Sequence, residues 1–228
     1  MASGWDKTYC YPDSNVLINK LDIKNLLTLV FAERELTSLR VYELEINPVK
    51  GNFDLRHLQE IHKYIFQDLY DWAGQIRTVN IAKDNVFCLS HNIEQQSKEL
   101  FKKLQGEKYL IDTPRNRIGE RFGYYFGEVN KIHPFREGNG RSQREFIKCL
   151  GLVAGYDMDF SKVNSSQMIN YCDDAFHGNY KGLVSMFSQI ISPITPNEQK
   201  HFIELISSEN SLIRKQYHQM VKGFDLEL

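Results

Sequence analysis

Apolar residues recur at helical spacing along most of the chain, which predicts a helical protein. We expect helices at about 25–46, 54–72, 92–105, 114–131, 165–175 and 180–191, and one more that begins after the glycines near residue 140. The first helix carries a broad apolar face, which we interpret as core rather than as a groove for a partner. Asp22 precedes this helix and is placed to cap it. The predicted fold class is therefore all-α, apart from one short segment.

Residues 77–89 break the helical pattern and favour β structure. β-Branched and aromatic residues lie on both sides of Lys83, Asp84 and Asn85, which favour a turn, so this segment predicts a short hairpin. A lone hairpin is only marginally stable in water and must lie on the helices. It is either a surface decoration or part of a binding site.

Two prolines mark a boundary near the end of the chain. Pro193 and Pro196 follow the last helix of the main bundle, and we expect a domain over residues 1–192 and a helical tail over residues 193–228. The tail reads as a helix with apolar residues on one side, which either packs back on the domain or binds a partner.

The composition is that of an ordinary globular protein and narrows the possible partners. Of the 228 residues, 42% are hydrophobic and 25% are charged, and the net charge is −1. Nothing here indicates direct binding of nucleic acid or of a membrane surface. No apolar stretch approaches the roughly 20 residues of a membrane span, and no apolar signal region opens the chain, so we expect a cytoplasmic protein. The four cysteines are far apart and form no C-x-x-C pair, which is typical of reduced thiols.

The segment from His133 to Arg144 concentrates the polar chemistry of the chain. It reads His-Pro-Phe-Arg-Glu-Gly-Asn-Gly-Arg-Ser-Gln-Arg and lies between two helical patterns, which predicts a tight loop and the first turn of a helix. The first turn of a helix presents unpaired N–H groups and attracts anions. Gly138 and Gly140 can adopt positive φ and present successive N–H groups to a pyrophosphate or a triphosphate.

Four side chains in this segment complete a possible site for phosphate chemistry. Arg141 and Arg144 are three residues apart on one helix face, where their guanidinium groups can hold phosphate oxygens. Glu137 is placed to bind Mg²⁺, and His133 is a possible general base at neutral pH. Each of these residues alone also fits an ordinary loop or a solvated helix face, so it is the combination that indicates a site.

The spacing of these residues matches a known signature at every defined position. The segment from His133 to Arg144 fits HxFx(D/E)GNGRxxR of the Fic family, so the chain resembles Fic adenylyltransferases. It differs from the related Doc pattern, in which Lys-Arg follows the Asn. Further Fic-like sequence at residues 66–77 and 179–187 extends the resemblance over roughly residues 9–191.

This resemblance implies a Fic-fold helical bundle that transfers AMP, with ATP and Mg²⁺ as cofactors. His133 would deprotonate a hydroxyl group of a target protein, which attacks the α-phosphate of ATP, and Glu137 would hold Mg²⁺ on the α- and β-phosphates. Phe135 would anchor the loop in the core. The residues implied to bind the phosphates are Gly138, Asn139, Gly140, Arg141 and, at the γ-phosphate, Arg144.

The resemblance also gives the predicted hairpin a function. In Fic proteins the corresponding hairpin is a flap over the active site, on which a segment of the target docks as an added strand. Here that strand would lie along Thr78, Val79, Asn80 and Ile81. Main-chain hydrogen bonds would then position the target hydroxyl and leave sequence selectivity modest.

The inhibitory segment of many Fic proteins is missing from this sequence. That segment has the pattern (S/T)xxxE(G/N), and its glutamate pairs with the second motif arginine, here Arg144. The only Ser or Thr four residues before a Glu is Ser90, and the pair lies in the flap region with Gln95 after Glu94. Inhibition therefore comes in trans from a small antitoxin that supplies the glutamate, as in short bacterial Fic toxins, or there is none. Resemblance to these toxins suggests type II topoisomerase subunits as targets.

Two other functions are compatible with the same residues. A Fic-fold transferase with another donor, such as UTP, GTP or a CDP-linked group, would use the same loop, because the N–H groups bind phosphates and not the base. A catalytically silent binding protein is the second alternative. A metal site at His57, Glu60 and His62 is disfavoured, because the two histidines are five residues apart and do not share a helix face.

Overall fold

The computed structural model describes residues 6–82 and 86–225 and confirms the prediction of a helical bundle. Its helices are α1 (Leu26–Ile46), α2 (Leu55–Phe66), α3 (Ile93–Gly106), α4 (Arg115–Ile132), α5 (Asn139–Ala154), α6 (Ser165–Phe176), α7 (Lys181–Ile190), α8 (Pro196–Ile206) and α9 (Leu212–Asp225). Two strands, β1 (Tyr156–Met158) and β2 (Ile191–Pro193), pair antiparallel. Among the described residues, no helix combines the length and the apolar character needed to cross a membrane.

The core lies around α4 and α5, which are buried along most of their length. α5 packs on α2, α4 and α8, and α4 packs along α7. Three glycines of α4, four residues apart, face α7: a Cβ on Gly123 would lie 3.0 Å from the backbone nitrogen of Val184, and Gly119 and Gly127 are similarly confined. This glycine stripe lets the two helices approach closely and fixes α4, whose C-terminal end leads into the motif loop.

The interpretation of the apolar face of α1 as core is wrong. Only Leu29, Thr37 and Leu44 are buried on this helix, whereas Leu27 is 79% exposed and Phe31 is 61% exposed. Apolar residues occur nearly all round α1, and the helix packs on α2 along one narrow side. Periodicity alone cannot show which side of such a helix faces the core.

The predicted cap of α1 is also wrong. Asn25 is the N-cap, and its side chain accepts a hydrogen bond from the Thr28 N–H at 3.0 Å. Asp22 lies three residues earlier, where its carboxylate accepts a hydrogen bond from the Tyr11 hydroxyl at 3.1 Å. Asn and Asp are about equally good caps, so the sequence offered two candidates and the residue directly before the helix is the one used.

Residues 77–89 form the predicted hairpin only in part, since the N–H of Phe87 donates to the carbonyl of Ile81 at 3.2 Å. The described part of this segment has one isolated antiparallel bridge, between Ala82 and Val86, and the predicted turn at 83–85 lies outside the described residues. Farther from the turn the segment bonds to α4 instead, since the N–H of Cys88 donates to the carbonyl of Lys131 at 3.0 Å. We call residues 77–82 and 86–89 the flap segment. The antiparallel sheet is formed by β1 and β2 instead.

Two predicted helices differ from the structure: one is shorter than predicted, and the other is divided in two. α2 stops at Phe66 and not at residue 72, because the carbonyl of Phe66 accepts the N–H groups of both Leu69 and Tyr70 and closes a turn. The tail is two helices, α8 and α9, separated by the polar residues 207–211. Both pack back on the bundle, and Ile206 and Ile213 are fully buried there.

Candidate active site

The loop between α4 and α5 runs from His133 to Gly138 and is held by its own polar groups. His133 is the C-cap of α4, and its backbone is left-handed, with a φ of 48°. The Asn139 side chain accepts the N–H of Phe135 at 2.9 Å and donates to the carbonyl of Phe135 at 2.7 Å. Phe135 is fully buried, so it anchors the loop in the core. The buried side chain of Asn139 thus serves the loop, which leaves its backbone N–H for a ligand.

His62 supports this loop from below, a role that sequence reasoning did not identify. Its Nδ1 accepts the N–H of Gly74 at 2.8 Å, so its Nε2 carries the proton and donates to the carbonyl of Glu137 at 3.0 Å. Its ring stacks on Phe135, with 3.8 Å between the ring centroids. Burial lowers the pKa of His62 to about 3, which keeps the ring neutral.

His57 is likewise structural, as expected from the sequence. Its Nδ1 accepts the N–H of Phe53 at 3.2 Å, and its Nε2 donates to the carbonyl of Val49 at 2.9 Å. Across the described residues, no group of three or more His, Cys, Asp or Glu side chains is arranged to hold a metal ion.

α5 begins in a conformation suited to binding an anion. Gly138, the residue before the helix, has a φ of 79°, and a Cβ there would overlap the Phe66 ring. The helix has no side-chain N-cap and no acidic residue in its first turn, so its N-terminal N–H groups face the loop surface. Gly140 differs from the expectation, because it lies inside the helix and does not adopt positive φ. A Cβ there would lie 3.3 Å from Arg144 Nη1, so Gly140 leaves room for that guanidinium.

Arg141 is held by α1, which sequence reasoning did not foresee. Its Nη2 pairs with the Glu33 carboxylate, and its Nη1 donates to the Thr37 hydroxyl at 3.0 Å. The guanidinium also lies over the Phe66 ring, 4.8 Å from the centroid. The hydroxyl of Tyr70 donates to the second oxygen of Glu33 at 2.5 Å. Arg141 is thus fixed in orientation before any ligand binds.

Arg144 is placed differently from Arg141. It is half-buried, and within the described part of the chain it has no ion-pair partner. Burial and the nearby charge of Arg141 lower the pKa of Arg144, although a guanidinium stays charged at neutral pH. A half-buried cation without an anion is costly, so this position favours an anionic ligand.

Three of the predicted site residues, His133, Gly140 and Arg144, line a cavity of about 220 Å³, whereas Glu137, Gly138, Asn139 and Arg141 do not. The other polar residues of its lining are Asn130, Gln143 and Asp173, and its apolar lining includes Met168 and Phe176 of α6. A small, mostly apolar cavity with a few convergent polar groups is typical of a ligand site. A larger cavity of about 990 Å³, between α2, α3 and the α8–α9 connection, contains none of the motif residues.

The flap segment and Glu137 border this site. The Phe87 ring stacks on the His133 ring, with 3.8 Å between the centroids and 15° between the planes. Glu137 is 48% exposed at the mouth of the loop, and its carboxylate accepts the N–H of Gly138 at 2.9 Å.

The four residues predicted to dock a target alternate in exposure as an edge strand does. Thr78 and Asn80 are exposed, whereas Val79 and Ile81 are half-buried. The Thr78 N–H donates to the Tyr9 hydroxyl at 3.1 Å. The Asn80 side chain accepts the N–H of Ser90 at 2.8 Å, and the Thr78 hydroxyl lies 3.4 Å from the Tyr9 hydroxyl, so both exposed side chains have partners within the chain, and neither lines the cavity.

Comparison with known sequences identifies the family. The sequence profile of the Fic/DOC family matches residues 52–150. The chain is 34% identical over 192 residues to the probable protein adenylyltransferase Fic of Escherichia coli, which covers 83% of this chain and 94% of that protein. This protein belongs to the Fic/DOC family.

A second relative is longer than this chain. Protein adenylyltransferase VbhT of Bartonella schoenbuchensis is 36% identical over 197 residues, which are 86% of this chain and 41% of VbhT. The chain therefore spans less than half the length of VbhT but nearly the whole length of the Escherichia coli protein.

Solved structures show the same fold with nucleotides bound. The N-terminal Fic domain of a cell filamentation protein from Bartonella quintana, with bound ADP, has a TM-score of 0.79 at 28% identity and covers 82% of this chain and 95% of its own. BepC from Bartonella tribocorum, with bound AMPPNP, has a TM-score of 0.78 at 26% identity, with 82% and 97% covered.

Proposed function

We propose that this protein transfers AMP from ATP to a hydroxyl side chain of a target protein and releases pyrophosphate. The observation that carries this proposal is the cavity shared by His133, the start of α5 and Arg144, which forms no ion pair among the described residues. A base, an anion-binding helix end and a guanidinium at one cavity are what nucleotidyl transfer to a hydroxyl requires. Relatives of this chain are named protein adenylyltransferases.

In the proposed reaction His133 takes the proton of the target hydroxyl. The hydroxyl oxygen forms a bond to the α-phosphorus, and the bond from that phosphorus to the bridging oxygen of pyrophosphate breaks. The leaving pyrophosphate takes up the bonding electron pair, and the positive groups around it stabilise its charge. Stacking on Phe87 holds the His133 ring in one plane, which orients the base towards the acceptor.

The residues present fit the expected nucleotide. Arg144 lies at the cavity and Arg141 lies at the start of α5, so the two guanidinium groups are placed to hold different phosphate oxygens. The apolar wall formed by Met168 and Phe176 is suited to a purine ring. The α5 N-terminus reaches the cavity through Gly140 and receives the phosphates in the proposal.

Mg²⁺ fits this site through Glu137. One exposed carboxylate beside the phosphate-binding loop is sufficient, because Mg²⁺ usually takes one or two carboxylates and completes its shell with phosphate oxygens and water. When bound, the ion supplies positive charge to the phosphates.

The test compares ATP labelled at the α-phosphate with ATP labelled at the γ-phosphate, in the presence of Mg²⁺ and a bacterial lysate. We expect label in protein from the α-position only, and loss of that label in His133→Ala. His201→Ala, which alters an exposed histidine on α8, is the matched control and should keep wild-type labelling. Purified type II topoisomerase subunits are the first defined targets to add, and labelling of neither subunit would remove them from the proposal.

Other results of the same assay favour the alternative functions. Label from the γ-position only would replace AMP transfer by a kinase reaction. No label from ATP, but label from UTP or GTP, would favour another nucleotide donor. A wild-type protein that binds ATP yet labels nothing with any donor would favour a binding protein.

We also propose that a small antitoxin inhibits this site by placing a glutamate against Arg144. A groove of about 520 Å³ between α1 and α5 leads to Arg144, and its rim includes Arg34 and Lys148. Phe31 lies one turn before Arg34 on the same face of α1, and its exposed ring extends the groove with apolar surface. Acidic residues also line this groove, and Lys148 pairs with Glu45 at 2.6 Å, whereas Arg144 forms no ion pair among the described residues, so a carboxylate on an amphipathic helix would be directed to Arg144.

Co-expression with a candidate antitoxin tests this second proposal. The complex with wild type should form and should block labelling, and both Arg144→Ala and Phe31→Ser should weaken it. An antitoxin that binds Arg144→Ala as tightly as wild type would contradict the proposal.

A further inference from the structure

Arg77 is a buried cation at the junction of the flap segment and the motif loop. Its side chain is among the largest that are fully buried, and the residue is 1% exposed. Among the described residues it forms no ion pair with a carboxylate. An uncompensated buried guanidinium costs free energy, so its hydrogen-bond partners must offset that cost.

The partners of Arg77 are backbone carbonyls from three places in the chain. Nη1 donates to the carbonyl of Val79 at 2.6 Å, and Nη2 donates to the carbonyl of Cys88. Nε donates to the carbonyl of His133 at 2.8 Å. The planar guanidinium of Arg77 thus joins both arms of the flap segment to the backbone of His133, the proposed base.

The position of the guanidinium explains why no carboxylate is needed. Nη2 lies 3.4 Å from the carbonyl of Ile132, the last residue of α4. The C-terminal end of a helix carries partial negative charge and unpaired carbonyls, which compensate a cation there. The guanidinium therefore takes the place of a C-terminal cap for α4, and the flap segment is attached to that cap.

Backbone hydrogen bonds support the same attachment. The N–H of Arg77 donates to the carbonyl of Pro134 at 2.9 Å, next to His133 in the loop. The N–H of Cys88 donates to the carbonyl of Lys131 at 3.0 Å. Between these two points, Phe87 stacks on the His133 ring. A shift of the flap segment against α4 would have to break all of these contacts together.

We propose that Arg77 is a positioning residue that sets the distance and orientation between the flap segment and His133. A target hydroxyl presented by the segment then meets the His133 ring in one fixed geometry. This inference rests on the proposed function for its consequence in catalysis. The coupling itself is a property of the folded chain and can be measured without any substrate.

The first arm of the experiment measures this coupling by NMR. The Hε1 signal of His133, assigned with His133→Asn, should be shifted upfield by the stacked Phe87 ring. Arg77→Lys keeps the charge but loses the fork, so we expect the signal to move towards its unstacked position while the protein stays folded. Arg121→Lys is the matched control, because Arg121 is also largely buried but pairs with Glu107 at the other end of α4. Its His133 signal should be that of wild type.

The second arm needs no variant, so it tests the coupling between the flap segment and His133 even if Arg77→Lys fails to fold. In native-state hydrogen exchange of wild type, the amides of Arg77 and Cys88 should open together with that of His133, with one common protection factor. Opening of the flap amides with a much lower protection factor than His133 would overturn the coupling. So would a folded Arg77→Lys whose His133 signal is unchanged.

The third arm measures the consequence for transfer. Arg77→Lys should lower protein labelling from α-labelled ATP by about tenfold or more, with binding of a non-hydrolysable ATP analogue changed less than twofold. Wild-type labelling by a folded Arg77→Lys would overturn the positioning role. If wild type labels nothing, the proposed function fails, and the NMR and exchange arms still decide whether Arg77 couples the two segments.

Discussion

Removing the charge of Glu33 tests the unexpected contact between α1 and the motif. Glu33 joins three elements, because it accepts hydrogen bonds from Arg141 on α5 and from Tyr70 after α2. Burial and the adjacent Glu33 carboxylate raise the pKa of Tyr70, so its hydroxyl stays protonated and donates. Glu33→Gln keeps the size and one acceptor oxygen but leaves Arg141 with a neutral partner.

The magnitude follows from the geometry. A hydrogen bond to a charged group contributes about 1.5–3 kcal/mol, and Glu33 makes two. The Glu33 and Arg141 side chains are 14% and 25% exposed, so solvent screens part of this energy. Because Gln retains about half of the hydrogen-bonding capacity, we expect Glu33→Gln to lower the free energy of unfolding by about 1–2 kcal/mol.

Urea unfolding followed by tryptophan fluorescence measures this effect, and Trp72 is a local reporter because it stacks on Tyr70 at 4.3 Å. Glu35→Gln is the matched control, since Glu35 lies on the same helix, is 56% exposed and pairs only with its neighbour Arg34. A double-mutant cycle with Arg141→Met isolates the pair and should give a coupling energy of about 1 kcal/mol. If Glu33→Gln unfolds at the same urea concentration as Glu35→Gln, or if the coupling is zero, Glu33 does not hold Arg141.

Three further predictions concern the core around the site. Gly138→Ala would place a Cβ in the Phe66 ring at positive φ, so we expect a loss of about 2–4 kcal/mol in thermal unfolding together with loss of labelling. Gly123→Ala should gain about 1 kcal/mol of helix propensity but lose more through its contact with the Val184 backbone; a higher melting temperature would show that α7 can move away. The folded pKa of His62, about 3, lies below the unfolded value of 6.5, so its contribution to stability is complete above pH 6.5 and declines as the pH falls towards 3. Urea midpoints at pH 7 and pH 5 measure this decline, which should be smaller in His62→Gln.

The helices and the motif loop could be predicted from the sequence, because their signals are local. The bounds of α4 follow from apolar spacing, and burial of Phe135 follows from the motif, whereas α5 begins before Gly140 and not after it. The exposed face of α1 could not be predicted, since apolar spacing shows that a helix has an apolar face but not which other element covers that face.

The supporting contacts of the site could not be predicted either. Glu33 and Arg141 are 108 residues apart, and Arg77 and His133 are 56 residues apart. No periodicity connects such pairs, and a single charged residue on a helix or in a flap reads as solvated surface. The hairpin is shorter than predicted for a related reason. The N–H groups of Arg77 and Cys88 donate to the motif loop and to α4, and a strand pattern does not show where the partners of a segment lie.

The exposed apolar surface of α1 has a consequence for handling the protein. With a net charge of −1 and an isoelectric point near 6.7, the chain has almost no long-range repulsion at neutral pH. Colloidal stability of the isolated chain is therefore set by short-range contacts, and Leu27 and Phe31 offer such contacts to any neighbour. Concentrated samples will self-associate near pH 7, and they will stay monodisperse about two pH units away from the isoelectric point, where repulsion between like-charged molecules keeps these faces apart.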